Sequence, residues 1–259
     1  MHPGAWLTWA LCGGTAATLT TNPFYLLPLG ASAWVVYAAH HRRDHPAGLS
    51  FRVFFLFALA ALAVRTLLVL LGPVDAGTVL NSFLEGLRLA VMLVIFGAFN
   101  AVADPYGVLR LAPRRFYEAA LAAALALSLA PRTIAAVTRV RDAQRARGIE
   151  VARYRMLPAL AVPVLENGME DALTLAESMD ARGHGRGRRS RYRPLPWTRA
   201  SVLCAVVSLV ALTAFASAAV AGDPTLVPSM FPPSWPEARS PLLAAASLLA
   251  LPALLRASS

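Results

Sequence analysis

The sequence contains no lysine: all 24 of its basic residues are arginine. A phosphate-binding loop of the Gly-x-x-x-x-Gly-Lys type needs a lysine amine to reach the phosphates, so any use of ATP must come from a partner chain. Cysteine is nearly absent. Cys12 and Cys204 each lie in an apolar stretch, which excludes a disulfide framework and a cysteine-rich metal site; both read as core or lipid-facing packing residues. Charge is scarce too, with 15% charged residues against 57% hydrophobic ones and a mean hydropathy of +0.56, where a soluble domain carries about a quarter charged residues. No basic residue precedes Arg42, so a cleavable signal peptide is not indicated and the apolar N-terminal stretch is expected to be retained. There is no His-Glu-x-x-His helix, Gly-x-Ser-x-Gly elbow or plausible serine triad. Gly183-His184-Gly185-Arg186-Gly187 follows no strand and is no nucleotide loop. Catalysis within this chain is not expected, nor is a metal or other cofactor.

What is present is an all-α, polytopic helical membrane protein with five to six spans. Trp6 to Ala39 is too long for one ordinary span and is interrupted at Asn22-Pro23, so a hairpin of two tilted helices is the first choice and one broken helix the alternative. The loop His40-His41-Arg42-Arg43-Asp44-His45 is placed in the cytoplasm by its positive charge and read as a solvated loop rather than a metal site. Val53 to Leu71 is a span with one internal charge, Arg65, for which Glu85 is a candidate partner. The next span runs from about Phe83 to Ala103, with Glu85 and Arg88 three apart on one helix face. Asp104-Pro105 starts a basic loop. Val202 to Ala221 is a charge-free span, entered past Trp197 at the interface, and Pro241 to Leu255 is a last apolar segment that Pro252 should distort. The loop between them, Gly222 to Ser240, suits the outside.

Between these groups of spans lies the region from Pro131 to Arg199, with 14 of the basic residues and 7 of the 14 acidic ones. It is too polar for hydrocarbon. Phe116 to Ala130 before it is short, carries Glu118 and has basic flanks on both sides, so by the positive-inside bias it enters or lies along the cytoplasmic half of the bundle without crossing. The expected division is residues 1–115 as N-terminal membrane helices, 116–199 as the cytoplasmic region and 200–259 as C-terminal membrane helices. From Thr133, Ile134, Val137 and Val140 recur at helical spacing among arginines until Gly148. A turn is expected over Met156 to Pro163. A second amphipathic helix then begins near Val164, with Leu165, Met169, Ala172, Leu173, Ala176 and Met179 on one face, and stops at Gly183. Gly183 to Arg193 reads as a solvated, lipid-facing basic segment. The net charge of +10, clustered beside apolar segments, points to anionic lipid and not to nucleic acid.

Two tripeptides repeat there, Ala146-Arg147-Gly148 and Ala181-Arg182-Gly183, each at the end of an amphipathic helix. A small residue, an arginine and a glycine put a guanidinium at an exposed helix tip, able to enter a groove and bond a carboxylate bidentately. In a chain rich in all three residues the tripeptide alone could equally recur by chance. The wider segments decide. Arg141-Asp142-Ala143-Gln144-Arg145-Ala146-Arg147-Gly148 and Ala176-Glu177-Ser178-Met179-Asp180-Ala181-Arg182-Gly183 resemble the paired signature of the transmembrane T component of energy-coupling factor transporters. The resemblance extends to Leu129-Ala130-Pro131, to the spacing of 35 residues between Arg147 and Arg182, and more loosely to Asn22-Pro23. It departs at His184, where the family often has an aromatic residue, and in the unusually basic run that follows.

This resemblance implies a plasma-membrane scaffold with two cytoplasmic coupling helices. Arg147 and Arg182 would engage a pair of ABC-type ATPase subunits, supported by Arg141, Asp142, Gln144, Arg145, Glu177 and Met179. A separate membrane S component would bind a vitamin or transition-metal ion. Two other classes compete with this one. A secondary transporter would use Arg65, Glu85 and Arg88 in its own substrate path, but no internal repeat is evident; a membrane-surface adaptor would hold anionic lipid through Arg186 to Arg193.

Overall fold

The computed structural model describes residues 1–40, 47–71, 75–148, 157–184, 196–228 and 236–255. All regular structure among them is helical: α1 (Pro3–Thr18), α2 (Pro23–His40), α3 (Ala47–Leu70), α4 (Ala76–Val102), α5 (Pro105–Leu109), α6 (Tyr117–Ala146), α7 (Leu157–Ala181), α8 (Arg199–Val220) and α9 (Ser240–Leu248), with short 3-10 turns at Arg114–Phe116 and Leu251–Ala253. They form two compact units, residues 1–111 with 195–259, and residues 112–194.

In the first unit α4 is central and packs on α3, α2 and α1, while α8 lies against α1 and α9 against α2 and α8. The α3–α4 pair closes tightly because Gly97 lets the Phe54 side chain approach to where a Cβ would stand at 2.6 Å, and Gly86 lies against Leu62 in the same way. The core is made of Trp9, Tyr25, Leu26, Leu29, Val36, Ile95, Phe215 and Leu249, all nearly inaccessible. Cys12 and Cys204 are both buried within the unit, so they are packing residues of the interior. The N-terminal stretch does break at Asn22-Pro23 into two helices, though α1 packs mainly on α8, α2 mainly on α4, and the two scarcely on each other.

That break is held by a buried polar knot. Asn22 Nδ2 donates to the Thr225 and Glu237 carbonyls (2.7 and 2.8 Å), and its Oδ1 accepts from Phe24 N–H at 3.0 Å. The Thr20 hydroxyl and the Thr21 amide both donate to the Leu226 carbonyl. Beside them, Arg239 N–H donates to the Tyr25 hydroxyl, which donates to Thr225 Oγ1, which donates in turn to Asp223 Oδ1. Asp223 also pairs with the Arg239 guanidinium at 2.7 Å. The loop after α8 is thereby tied to the α1–α2 turn, a pairing far apart in sequence. At the other end of the unit the His2 side chain accepts from Gly4 N–H to cap α1, its amide donates to the Ser201 hydroxyl, and its ring stacks on Trp197 at 4.3 Å.

Among the described residues four helices are long and apolar enough to cross a membrane: Leu49–Leu70, Gly77–Val102, Tyr117–Ala146 and Arg199–Val220. Length and composition select them, and the outer faces of α3 and α8 are densely apolar. Arg65 forms an ion pair with Glu85, joining α3 to α4.

Several boundaries differ from the sequence reading. Asp104-Pro105 opens a short helix instead of a loop, because Asp104 caps the amides of Tyr106 and Gly107 and proline suits the first helical position. Pro131 does not divide α6, nor does Pro163 delay α7, which starts at Leu157 where a turn was expected; a proline inside a helix removes one ladder bond, and flanking helix-forming residues carry the chain through it. Pro252 acts as expected, since α9 ends at Leu248 and Leu251–Ala253 forms a 3-10 turn. The histidine-rich residues 41–46, Gly72-Pro73 and the basic run beyond His184 lie outside the described residues.

Candidate functional site: two arginine-tipped helix ends

Both tripeptides sit at helix C-termini, and the two ends are built alike. Ala146 is the last residue of α6 and Ala181 the last of α7. In α6 the Arg147 amide bonds back to the Ala143 and Gln144 carbonyls, and Gly148 N–H bonds to the Arg145 carbonyl at 3.0 Å. In α7 the Arg182 amide bonds to the Ser178 carbonyl, Gly183 N–H to the Asp180 carbonyl at 2.8 Å, and His184 N–H to the Met179 carbonyl at 3.0 Å. The last two bonds are the pair that closes a Schellman end, and Gly148 makes the equivalent of the first. Closure requires a left-handed residue. Gly148 has φ +77 and Gly183 φ +73, with open space where a side chain would stand, so backbone conformation alone selects glycine.

The consequence for the arginines is positional. Each is the residue between the last helical turn and the reversal, where a cation is also favoured by the helix dipole. Both are exposed, and neither forms an ion pair or a side-chain hydrogen bond among the described residues. Around the first tip Arg141, Asp142 and Arg145 are exposed and Gln144 is partly covered; around the second, Glu177 is exposed and Met179 partly covered. Each supporting residue thus lies within two turns of its tip.

These tips stand on helices that bury little. No residue of α6 is buried, and the expected apolar faces are open, with Ile134 66%, Leu165 64%, Met169 66% and Leu173 63% accessible. Apolar residues at such spacing on a helix normally face a core or a partner. No group of three or more histidine, cysteine or acidic side chains that could hold a metal occurs among the described residues. What the sequence reading only touched is the role of Asn22. It marked the break in the first apolar stretch, but its carbonyl partners follow α8 and carry no side-chain signature.

These features define a polytopic helical membrane protein with two matching arginine-tipped helix ends in the segment between its N- and C-terminal apolar helices. Its similarity to transmembrane proteins of energy-coupling factor transporters is found by comparison with known proteins as well. The chain is 32% identical over 108 residues, 38% of its length, to the energy-coupling factor transporter transmembrane protein EcfT of Bacillus subtilis (strain 168), of which 41% is covered. It is 32% identical over 104 residues to the EcfT of Listeria innocua and 29% identical over 103 residues to that of Streptococcus thermophilus, covering 38% and 37% of this chain and 39% of each relative. The match spans about two fifths of the length of these curated relatives. No family model matches the chain.

Proposed function

We propose that this chain is the energy-coupling transmembrane component of an importer of the energy-coupling factor type. The observation that carries the reading is the pair of matching helix ends, each presenting an unpaired arginine before a left-handed glycine, in a chain similar to EcfT proteins. In this reading the polar segment and its tips lie in the cytoplasm, and Arg147 and Arg182 each enter an acidic groove on one of two ABC-type ATPase subunits. The planar guanidinium forms two parallel hydrogen bonds with a carboxylate. ATP is bound and hydrolysed by those partners. As they close and open, the tips move with them, and the uncovered apolar faces of α6 and α7 pass the motion to a substrate-binding membrane subunit that carries a vitamin or a transition-metal ion. The chain itself is non-catalytic.

The test is co-purification in detergent from cells that express the chain with its ATPase subunits. Arg147→Glu and Arg182→Glu each weaken retention of the ATPases, and the double reversal abolishes it. Undiminished retention in the double variant sinks the proposal. The secondary-transporter reading loses support because Arg65 and Glu85 satisfy each other within the fold, which removes the free carboxylate such a path would use.

A further inference from the structure

Helices α2 and α3 each pack along α4, yet they meet one another chiefly through aromatic rings at one end. Gly30 of α2 lies against Val91 of α4, while Gly86 and Gly97 of α4 lie against Leu62 and Phe54 of α3. Leu87 and Val94, both partly covered, fall on the arc of α4 between those two lines of contact. They floor a groove. Its walls are Leu27 and Trp34 of α2 and Phe55 and Leu59 of α3, all of them exposed.

One end of the groove is closed by rings and carries the polar groups. There Phe51 is buried, stacked on Tyr37 at 3.7 Å, and the Trp34 ring meets both Phe51 and Phe55 at 5.5 Å. Trp34 is nonetheless 48% accessible, and its indole N–H has no acceptor among the described residues, whereas Trp9 in the core donates to the Leu249 carbonyl at 2.9 Å. An indole with its apolar body on a helix face and its N–H left open suits the level of lipid headgroups. Arg52, three residues before Phe55 and on the same stripe of α3, is exposed and has no ion-pair or hydrogen-bond partner among the described residues. No acidic residue occurs on α2 or α3, and the one on α4, Glu85, is paired with Arg65 about 18 Å along the helix from Gly97. The seven-residue steps from Trp34 back to Leu27 and from Phe55 on to Leu62 extend the groove about 10 Å from the ring cluster, which is two thirds of the roughly 15 Å of hydrocarbon in one leaflet.

We propose that this groove is a binding site for one anionic phospholipid, in the leaflet at the N-terminal end of α3. The phosphate is held by the Arg52 guanidinium, the glycerol ester oxygens lie at the Trp34 indole N–H, and an acyl chain runs between Leu27 and Leu59 over Val94 and Leu87. The occupant follows from charge and shape. An unmatched guanidinium binds a phosphate bidentately, the apolar walls take a single chain, and a zwitterionic headgroup would bring a second cation to a site that is already positive. The site is separate from the arginine tips, so it stands or falls independently of the coupling function.

The experiment reconstitutes the full chain in phosphatidylcholine vesicles that contain phosphatidylglycerol, with bromine placed near the top of the acyl chains of one lipid or the other. Bromine quenches tryptophan fluorescence on contact. The contribution of Trp34 is the difference between wild type and Trp34→Phe, a variant that keeps a ring in the aromatic cluster. At equal mole fraction, brominated phosphatidylglycerol quenches Trp34 with about fivefold preference over brominated phosphatidylcholine, the effect expected of one arginine at a lipid phosphate. Arg52→Gln, a change at an exposed position that leaves packing intact, removes the preference, and Arg52→Lys keeps part of it. Arg110→Gln, at an exposed arginine outside the groove, leaves it unchanged. Equal quenching by the two lipids in wild type overturns the proposal, as does a preference that survives Arg52→Gln. An equal loss in Arg110→Gln also overturns it, by assigning the preference to the basic surface as a whole, and a Trp34 that neither lipid quenches does so by showing that lipid does not enter the groove.

Discussion

Arg147 and Arg182 differ from the other arginines of the polar segment in where the backbone puts them. Each occupies the last position before a left-handed glycine, so its side chain leaves the helix at the end instead of along the flank. Because losing one member of a desolvated, hydrogen-bonded charge pair costs about 2 to 5 kcal/mol, Arg147→Ala or Arg182→Ala should weaken ATPase binding by on the order of a hundredfold; titration of the ATPases onto the chain in nanodiscs checks this. The glycines make a separate prediction. At φ +73 an alanine in place of Gly183 is strained by about 1 kcal/mol, so Gly183→Ala should raise amide exchange about fivefold in the last turn of α7, read at the His184 and Gly183 amides, while Gly168→Ala, at a helical position with open space, should not. Asp223 supplies a prediction in pH. The amide of Thr225 donates to its carboxylate, and the Thr225 hydroxyl and the Arg239 guanidinium assist, holding its pKa below the usual carboxylate range despite partial desolvation. A depressed folded-state pKa gives stability that is present above the unfolded value and lost as pH falls through the folded one. Thermal unfolding of wild type and Asp223→Asn should therefore differ at about pH 6, the difference starting to fall as pH drops below about 3.9 and vanishing only below the depressed folded-state value.

Among the elements, the α1–α2 turn shows what sequence reading misses. Asn22-Pro23 marks a break legibly, because proline does not continue a helix that precedes it and asparagine favours turns. That the turn is buried is not legible, since the groups that satisfy Asn22 are the backbone carbonyls of Thr225 and Glu237, and every residue has a carbonyl. Asn22→Ala leaves two buried acceptors and the Phe24 amide without their partner, at an expected cost of about 2 kcal/mol or more. A melting comparison with a change at the exposed Leu27 reads this directly, and equal melting temperatures would remove the knot as a structural element. The helices of the polar segment show the opposite case. Their existence and their glycine stops were legible from periodicity, because apolar spacing and a terminal glycine are local signals. Their starts were not: Pro131 and Pro163 look like breaks, since an interior proline loses a ladder bond and crowds the preceding turn, yet both helices run through them.

At the scale of the whole molecule the two units have different internal economies. The first buries aromatic and branched side chains around α4, whereas α6 buries none and α7 keeps Leu165, Met169 and Leu173 open. Elements with little buried apolar area open at low free energy. Hydrogen exchange on the isolated chain should accordingly show α6 and α7 exchanging well ahead of α4 and α8, and gaining protection when the ATPases and the membrane subunit bind. Equal protection of all four helices in the isolated chain would count against a partner-dependent role for the polar segment. By itself the sequence determined the membrane class, the all-helical content, the positions of the two tripeptides and Glu85 as a candidate partner for Arg65, because hydropathy, periodicity, glycine stops and opposite charges act over a few residues or on scarce groups. Only the tertiary structure decided that Asn22 is tied to the loop beyond α8 and that both arginine tips end on a left-handed glycine. Those facts depend on which backbone groups and which helix levels meet in space, and residues some 200 positions apart leave no local trace of meeting.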